Sequence, residues 1–70
     1  MPYYSPELLQ TMRAVLEEVM TRIPTHQATP GVKAYMAEII LKAAASGQMR
    51  YEDLLAAASE QIPRARSHIV

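Results

Sequence analysis

Apolar residues recur at helical spacing in the first third of the chain. From Leu8 onward they fall within an arc of about 140° on a helical wheel, and polar residues occupy the rest. The members of the arc are Leu8, Leu9, Met12, Val15, Leu16, Val19, Met20 and Ile23. Ser5 suits the N-cap and Pro6 the first helical position, because the serine oxygen can accept a first-turn amide and proline has no N–H to leave unpaired. Pro24 disfavours helical backbone at the preceding residue, so the pattern predicts a helix that ends near Arg22.

The segment from Thr29 to Gly47 is apolar on two sides of a second predicted helix. Its bulky face holds Val32, Tyr35, Met36, Ile39, Ile40 and Ala43. Its opposite side holds Ala34, Ala37, Leu41, Ala44 and Ala45. Thr29 suits the N-cap, Pro30 the first position, and Gly47 the left-handed residue that closes the helix. A helix that is apolar on two sides is expected to lie against more than one neighbour.

A third helix is predicted after a short turn. Tyr51, Leu54, Leu55, Ala58 and Ile62 share one face, and acidic residues occupy its first turn. Pro63 then stops the helix by the same steric effect as Pro24. No segment alternates like a strand. We therefore predict one all-α domain over residues 1–62, with helices at about 6–22, 30–46 and 51–61. Its three helices form either an up-down-up bundle or an orthogonal arrangement, and residues 63–70 form a mobile tail without helical pattern.

Composition narrows the class of protein. The 70 residues carry seven basic and seven acidic side chains and no cysteine. Zero net charge provides no field for nucleic acid or an acidic membrane surface. Without cysteine, disulfides, thiolate catalysis and cysteine-based zinc sites are excluded. No signal peptide and no apolar run of about 18–20 residues is present, so we expect a cytoplasmic protein without a membrane partner.

The residues that usually carry catalysis or bind metal are sparse and separated. His26 lies in a predicted loop and His68 in the predicted tail, without the spacing of a zinc site. Two carboxylate pairs are present, Glu17 with Glu18 and Glu52 with Asp53. Neighbours on a helix point about 100° apart, so neither pair converges on a substrate. We predict no enzyme, no catalytic or cofactor-binding residues, no metal site and no cofactor.

Nucleic-acid binding is the alternative function. The stretch from Ile40 to Ala58 is helix, glycine-containing turn and helix, as in a helix-turn-helix. The basic residues available for phosphate contacts are Lys42, Arg50, Arg64 and Arg66. However, the outward positions of the third helix include three acidic residues, which repel phosphates. We therefore expect a plain helical hairpin in preference to a small DNA-binding regulator.

Protein–protein interaction is the function that the pattern favours. If the first and third helices cover the bulky face of the second, its alanine-rich side stays uncovered. We predict an interaction surface there, formed by Ala34, Ala37, Leu41, Ala44, Ala45 and Met49. Five methionines and four tyrosines suit adaptable, partly wet contacts. The expected partner is a second copy of the chain or a partner helix; the alternative is that these residues fill the core of a monomer.

The segment Thr29–Ala58, TPGVKAYMAEIILKAAASGQMRYEDLLAAA, resembles a group of short, all-helical bacterial proteins of unknown function. The resemblance covers the second and third predicted helices, which is less than half of the chain. It implies an all-helical bacterial protein, and no activity, ligand or site residue.

Overall fold

Four α-helices and one short 3-10 turn follow each other along the chain in the computed structural model. The model describes residues 4–67, with side chains for residues 4–65. The elements are α1 (Pro6–Thr21), a 3-10 turn (Thr25–Gln27), α2 (Pro30–Ala45), α3 (Tyr51–Glu60) and α4 (Ile62–Ser67). Helices α1, α2 and α3 pack against one another in all three pairs. This arrangement confirms the predicted small all-α domain of three main helices.

The first two helices begin where a hydroxyl side chain precedes a proline. The N–H of Leu8 donates to Ser5 Oγ at 3.1 Å, and the N–H of Val32 donates to Thr29 Oγ1 at 3.2 Å. Each bond satisfies one first-turn amide that has no partner within its helix. The following prolines occupy the first helical positions. The predicted starts of both helices are therefore confirmed.

Helix α2 ends in a left-handed glycine, as its sequence predicts. Gly47 has φ of 107°, and its N–H donates to the Ala44 carbonyl at 3.0 Å. The N–H of Gln48 donates to the Ala43 carbonyl at 3.1 Å. These two bonds form a Schellman motif, which satisfies carbonyls at the end of the helix. The motif turns the chain towards α3.

The two glycines provide a matched test of this turn. We expect Gly47→Ala to lower the free energy of unfolding by about 1 kcal/mol, because an alanine is strained at positive φ. No heavy atom lies within 4 Å of the added Cβ, so the cost is conformational rather than steric. The control Gly31→Ala adds a Cβ at an ordinary 3.9 Å contact within a helix and should be neutral or slightly stabilising. Urea unfolding of both variants measures the difference, and equal effects would contradict it.

The core lies between the three main helices and is wholly apolar. It contains Leu8, Met12, Val15, Val19, Ile23, Val32, Met36, Ile40, Ala44, Leu54, Ala58 and Ala65. All but two of these residues belong to the apolar arc of α1, the bulky face of α2 or the apolar face of α3. The exceptions are Ala44 and Ala65. Among the described residues, no buried side-chain nitrogen or oxygen lacks a hydrogen-bond partner.

The end of the chain departs from the prediction. Residues 63–67 were expected to lack helical structure, and this is wrong, because Ile62–Ser67 form α4. Ala65 is fully buried, and α4 contacts both α2 and α3. Pro63 lies in the first turn of α4, where a missing N–H removes no helical bond, so it separates two helices rather than ending the last one. The expected mobility of residues 68–70, including His68, lies outside the described residues.

Candidate functional site

Large apolar side chains remain uncovered where α1 and α2 meet. Leu9 on α1 is 47% exposed and Leu41 on α2 is 45% exposed. Both line a depression of about 270 Å³ between the two helices. The residues around it are Leu9, Met12, Arg13, Leu16, Ala37, Ile40 and Leu41. Because Leu9 is near the start of α1 and Leu41 near the end of α2, the two helices run antiparallel.

The depression has a buried floor and exposed edges. Met12 and Ile40 form the floor and belong to the core. Leu16 is partly buried and packs against the core. The floor is therefore held by the packing of the domain, whereas Leu9 and Leu41 at the edges are exposed. The shape is preformed and does not require α1 and α2 to separate.

Helical periodicity extends this apolar surface beyond the depression. Met20 follows Leu16 by four positions on α1 and is partly buried. On α2, Ala34 precedes Ala37 by three positions, Ala45 follows Leu41 by four, and both are exposed. We call this surface the α1–α2 face. It comprises Leu9, Arg13, Leu16, Met20, Ala34, Ala37, Leu41 and Ala45.

Arg13 is the single charged residue that lines the depression. It is exposed, and within the part of the chain that the structure describes it makes no hydrogen bond or ion pair. Other cations nearby are engaged: Arg22 lies 3.4 Å from the Glu18 carboxylate and Lys42 lies 3.4 Å from that of Glu38. The α1–α2 face thus combines an apolar surface with one uncompensated positive charge.

Four of the six residues of the predicted interaction surface lie together on the α1–α2 face. Ala37 and Leu41 line the depression, and Ala34 and Ala45 extend the same face. The placement of Ala44 on the uncovered side is wrong, because this residue is 4% exposed and belongs to the core. Met49 is 64% exposed, but it lies in the turn between α2 and α3 and does not line the depression.

Helix α1 contributes to this surface although no residue of α1 was predicted to do so. Leu9, Arg13 and Leu16 lie on the α1–α2 face, and the helical wheel placed the two leucines only within the apolar arc of α1. The sequence pattern could have indicated this contribution, because Leu9, Leu16 and Met20 form one edge of the apolar arc of α1. An arc of about 140° is wider than one neighbouring helix covers, so its edge extends to the surface.

A second hollow lies on α2 itself. It measures about 420 Å³ and is lined by Thr29, Gly31, Val32, Ala34, Tyr35 and Glu38. All six residues belong to the first nine positions of α2 or to its N-cap. The hollow exists because Gly31 and Ala34 lack bulky side chains, and no second element encloses it. Only its Ala34 edge joins the α1–α2 face.

The residues considered for nucleic-acid binding lie on separate elements. Lys42 is exposed on α2, Arg50 precedes α3 and Arg64 is exposed on α4, whereas the side chain of Arg66 is outside the described part. The acidic residues of α3, Glu52, Asp53 and Glu60, are exposed as well. Carboxylates on that helix would repel phosphates.

Groups suited to metal binding do not converge in the described part of the chain. His26 is exposed in the 3-10 turn. Among residues 4–67 no three histidine, cysteine, aspartate or glutamate residues are close enough to hold a metal ion. No helix in this range has both the length and the apolar character needed to cross a membrane.

Comparisons of the chain with protein-family models, with curated protein sequences and with solved structures found no match.

Proposed function

We propose that this chain is a small protein–protein interaction module that associates with a second copy of itself through the α1–α2 face. The observation that carries the proposal is the pairing of Leu9 and Leu41, each nearly half exposed, at the edges of one preformed apolar depression. Fully burying a leucine side chain contributes about 1.5–3 kcal/mol. Two half-exposed leucines on each copy therefore retain a substantial part of that energy for association.

The size and charge of the chain support self-association. A 70-residue domain has little core of its own, and small domains commonly gain stability by oligomerisation. Its formal net charge is zero, so two copies do not repel each other at long range. A two-fold dimer uses the same surface on both copies, and the α1–α2 face offers both exposed leucines and small alanines for such contacts.

The proposal includes no catalytic activity and no cofactor. Acid–base catalysis needs positioned groups that donate and accept protons, and the depression between α1 and α2 contains only an arginine among its charged residues. A cytoplasmic location belongs to the same proposal, because a chain without cysteine is suited to a reducing compartment.

Leu41→Glu tests the proposed interface. We expect the unchanged protein to approach twice its 7.8 kDa chain mass as its concentration rises tenfold, measured by light scattering on a size-exclusion column. Leu41→Glu should remain folded and monomeric throughout, because association would bury an unpaired carboxylate. The dissociation constant should rise by about 30-fold or more, which corresponds to about 2 kcal/mol.

Met49→Glu is the matched control, since Met49 is also a large exposed apolar residue but lies off the α1–α2 face. Its dissociation constant should equal that of the unchanged protein. Circular dichroism reports folding in each variant. An unfolded Leu41→Glu would place Leu41 in the core, and a protein that stays monomeric at all concentrations would refute self-association.

A further inference from the structure

We infer that in the dimer α1 of each copy lies on α2 of the other, with Arg13 of one copy paired to the partner's Glu38. This inference rests on the self-association proposed above. It starts from Arg13, which lines an apolar depression and has no ion-pair partner within the described residues. An arginine covered by a partner must be paired with an acid, because an uncompensated buried charge strongly opposes association.

The chain carries an acid at the matching level. Arg13 lines the depression together with Ala37 and Leu41, so it lies level with the segment of α2 between them. Glu38 is within that segment and follows Ala37 directly, at the outer border of the α1–α2 face. Its side chain is 65% exposed, and its only ion pair among the described residues is an exposed one with Lys42. It is therefore free to contact a second cation.

The other nearby acid fits less well. Glu17 follows Arg13 by four positions on α1, so both lie on one side of the helix. The structure nevertheless contains no ion pair between them. Cation before acid is also the weaker order for such a pair within a helix. Arg13 therefore remains available to a partner.

Two-fold symmetry allows two ways to stack the α1–α2 faces. If α1 lies on α1 of the partner with the two-fold axis through the middle of the depression, each Arg13 faces its own symmetry mate, because Arg13 lies between Leu9 and Leu16, and the like charges repel. If α1 lies on α2 of the partner, the two-fold axis is parallel to the helices. Each residue then has the same height along the helices as its symmetry mate. Arg13 then meets the partner's Glu38, and the reciprocal pair forms at the same time. Charge complementarity favours the second arrangement.

Side-chain sizes agree with this arrangement. Leu9 and Leu16 project from α1, whereas α2 presents Ala34 and Ala37 at neighbouring levels. Placing α1 on α2 of the partner sets Leu16 against alanines on both halves of the interface, and Leu9 against the partner's Leu41. Small residues let helix axes approach to the short end of the usual 8–10 Å spacing.

Charge reversal tests the pair. Arg13→Glu should place two glutamates in contact on each side of the two-fold axis, and Glu38→Arg should place two arginines there. Each variant alone should raise the dissociation constant by about tenfold or more. An equimolar mixture should form a heterodimer with both pairs restored and an affinity near that of the unchanged protein. Sedimentation equilibrium at low salt measures all three, and higher salt should reduce the differences.

The control reverses the charge of one arginine and one glutamate outside the α1–α2 face. Arg50→Glu and Glu60→Arg alter residues that are exposed and lie off the α1–α2 face, and their mixture has the same net charges as the test mixture. These variants should dimerise like the unchanged protein, alone or mixed. If they behave like the test variants, net charge rather than a specific pair governs association, and the inference is overturned.

A crosslinking experiment distinguishes the two stacks. The chain has no cysteine, so single cysteines can be introduced without background. Mixing Arg13→Cys with Glu38→Cys chains and adding a short bis-maleimide should give a covalent heterodimer. Arg13→Cys alone should crosslink poorly. Efficient crosslinking of Arg13→Cys alone would show that α1 lies on α1, and this would refute the inferred stack while self-association stands. A monomeric unchanged protein would refute both proposals.

Discussion

Leu54→Ala is expected to remove most of the stability of this domain. Leu54 lies on α3 and is fully buried, where α3 packs against both α1 and α2. Truncating a buried leucine to alanine costs about 3–5 kcal/mol, because the lost burial is accompanied by a cavity that closes only in part. A single core of this size supplies about 3–5 kcal/mol in total. The variant should therefore be largely unfolded near room temperature.

Leu55→Ala is the control for this change. Leu55 is the next residue on the same helix and is only partly buried, so the same deletion should cost about 1 kcal/mol. Urea unfolding followed by far-ultraviolet circular dichroism measures both variants, and helix propensity cancels between them. Equal midpoints for the two variants would contradict the central position of Leu54.

Ala65→Asp is expected to detach α4 from the domain. Ala65 is fully buried, and α4 contacts α2 and α3. An aspartate there would place an unpaired carboxylate in an apolar site, which costs several kcal/mol unless the helix moves away. Because α4 has only six residues, it has no stability once undocked. We expect loss of helical signal from this segment and a lower free energy of unfolding.

Ala56→Asp is the matched control. Ala56 is an exposed alanine on α3, so the same substitution there changes helix propensity and net charge without burying a carboxylate. Its effect should stay below about 1 kcal/mol. Hydrogen exchange of the amides of α4, with the Ala65 N–H bonded to the Gln61 carbonyl at 2.9 Å, separates local detachment from global unfolding. Protected α4 amides in Ala65→Asp would show that α4 does not depend on this contact.

The three main helices could be predicted because their signals are local. A hydroxyl residue followed by proline starts α1 and α2, and each cap acts within three residues of its own position. At the end of α2 the N–H of Gly47 donates to the carbonyl three residues earlier, and the N–H of Gln48 donates to the carbonyl five residues earlier. The apolar arc of α1 contains all the buried residues of that helix, and the edge of the arc formed by Leu9, Leu16 and Met20 stays exposed or partly buried. Interactions between residues a few positions apart can be predicted from the sequence alone.

Helix α4 was not predictable in this way. Six residues span less than two turns, which is too short for apolar periodicity to be distinguished from chance. It has one fully buried alanine, Ala65, and this residue is recognisable as a core residue only once α2 and α3 are in place. In the sequence pattern Pro63 marks the end of the last helix. A proline that stops one helix cannot be distinguished from a proline in the first turn of the next unless the start of that next helix is known.

The candidate surface was only half determined by the sequence. The two-sided pattern of α2 correctly suggested that part of its small-residue side stays uncovered, through Ala37 and Leu41. The helical wheel could not show which alanine faces the core. Whether a residue at the border of a face is covered depends on the angle at which the helices cross. Ala44 is buried and Ala45 is exposed for this reason.

The sequence by itself determined where the three main helices start and end, most of the side chains that they bury, and the absence of cysteine. These properties depend on backbone hydrogen bonds and burial patterns that repeat within one or two turns. Only the tertiary structure decided that Leu9, Arg13 and Leu41 share one face and that Ala65 joins the core. Such neighbours are many residues apart in the chain, and the angles and levels at which whole helices pack bring them together.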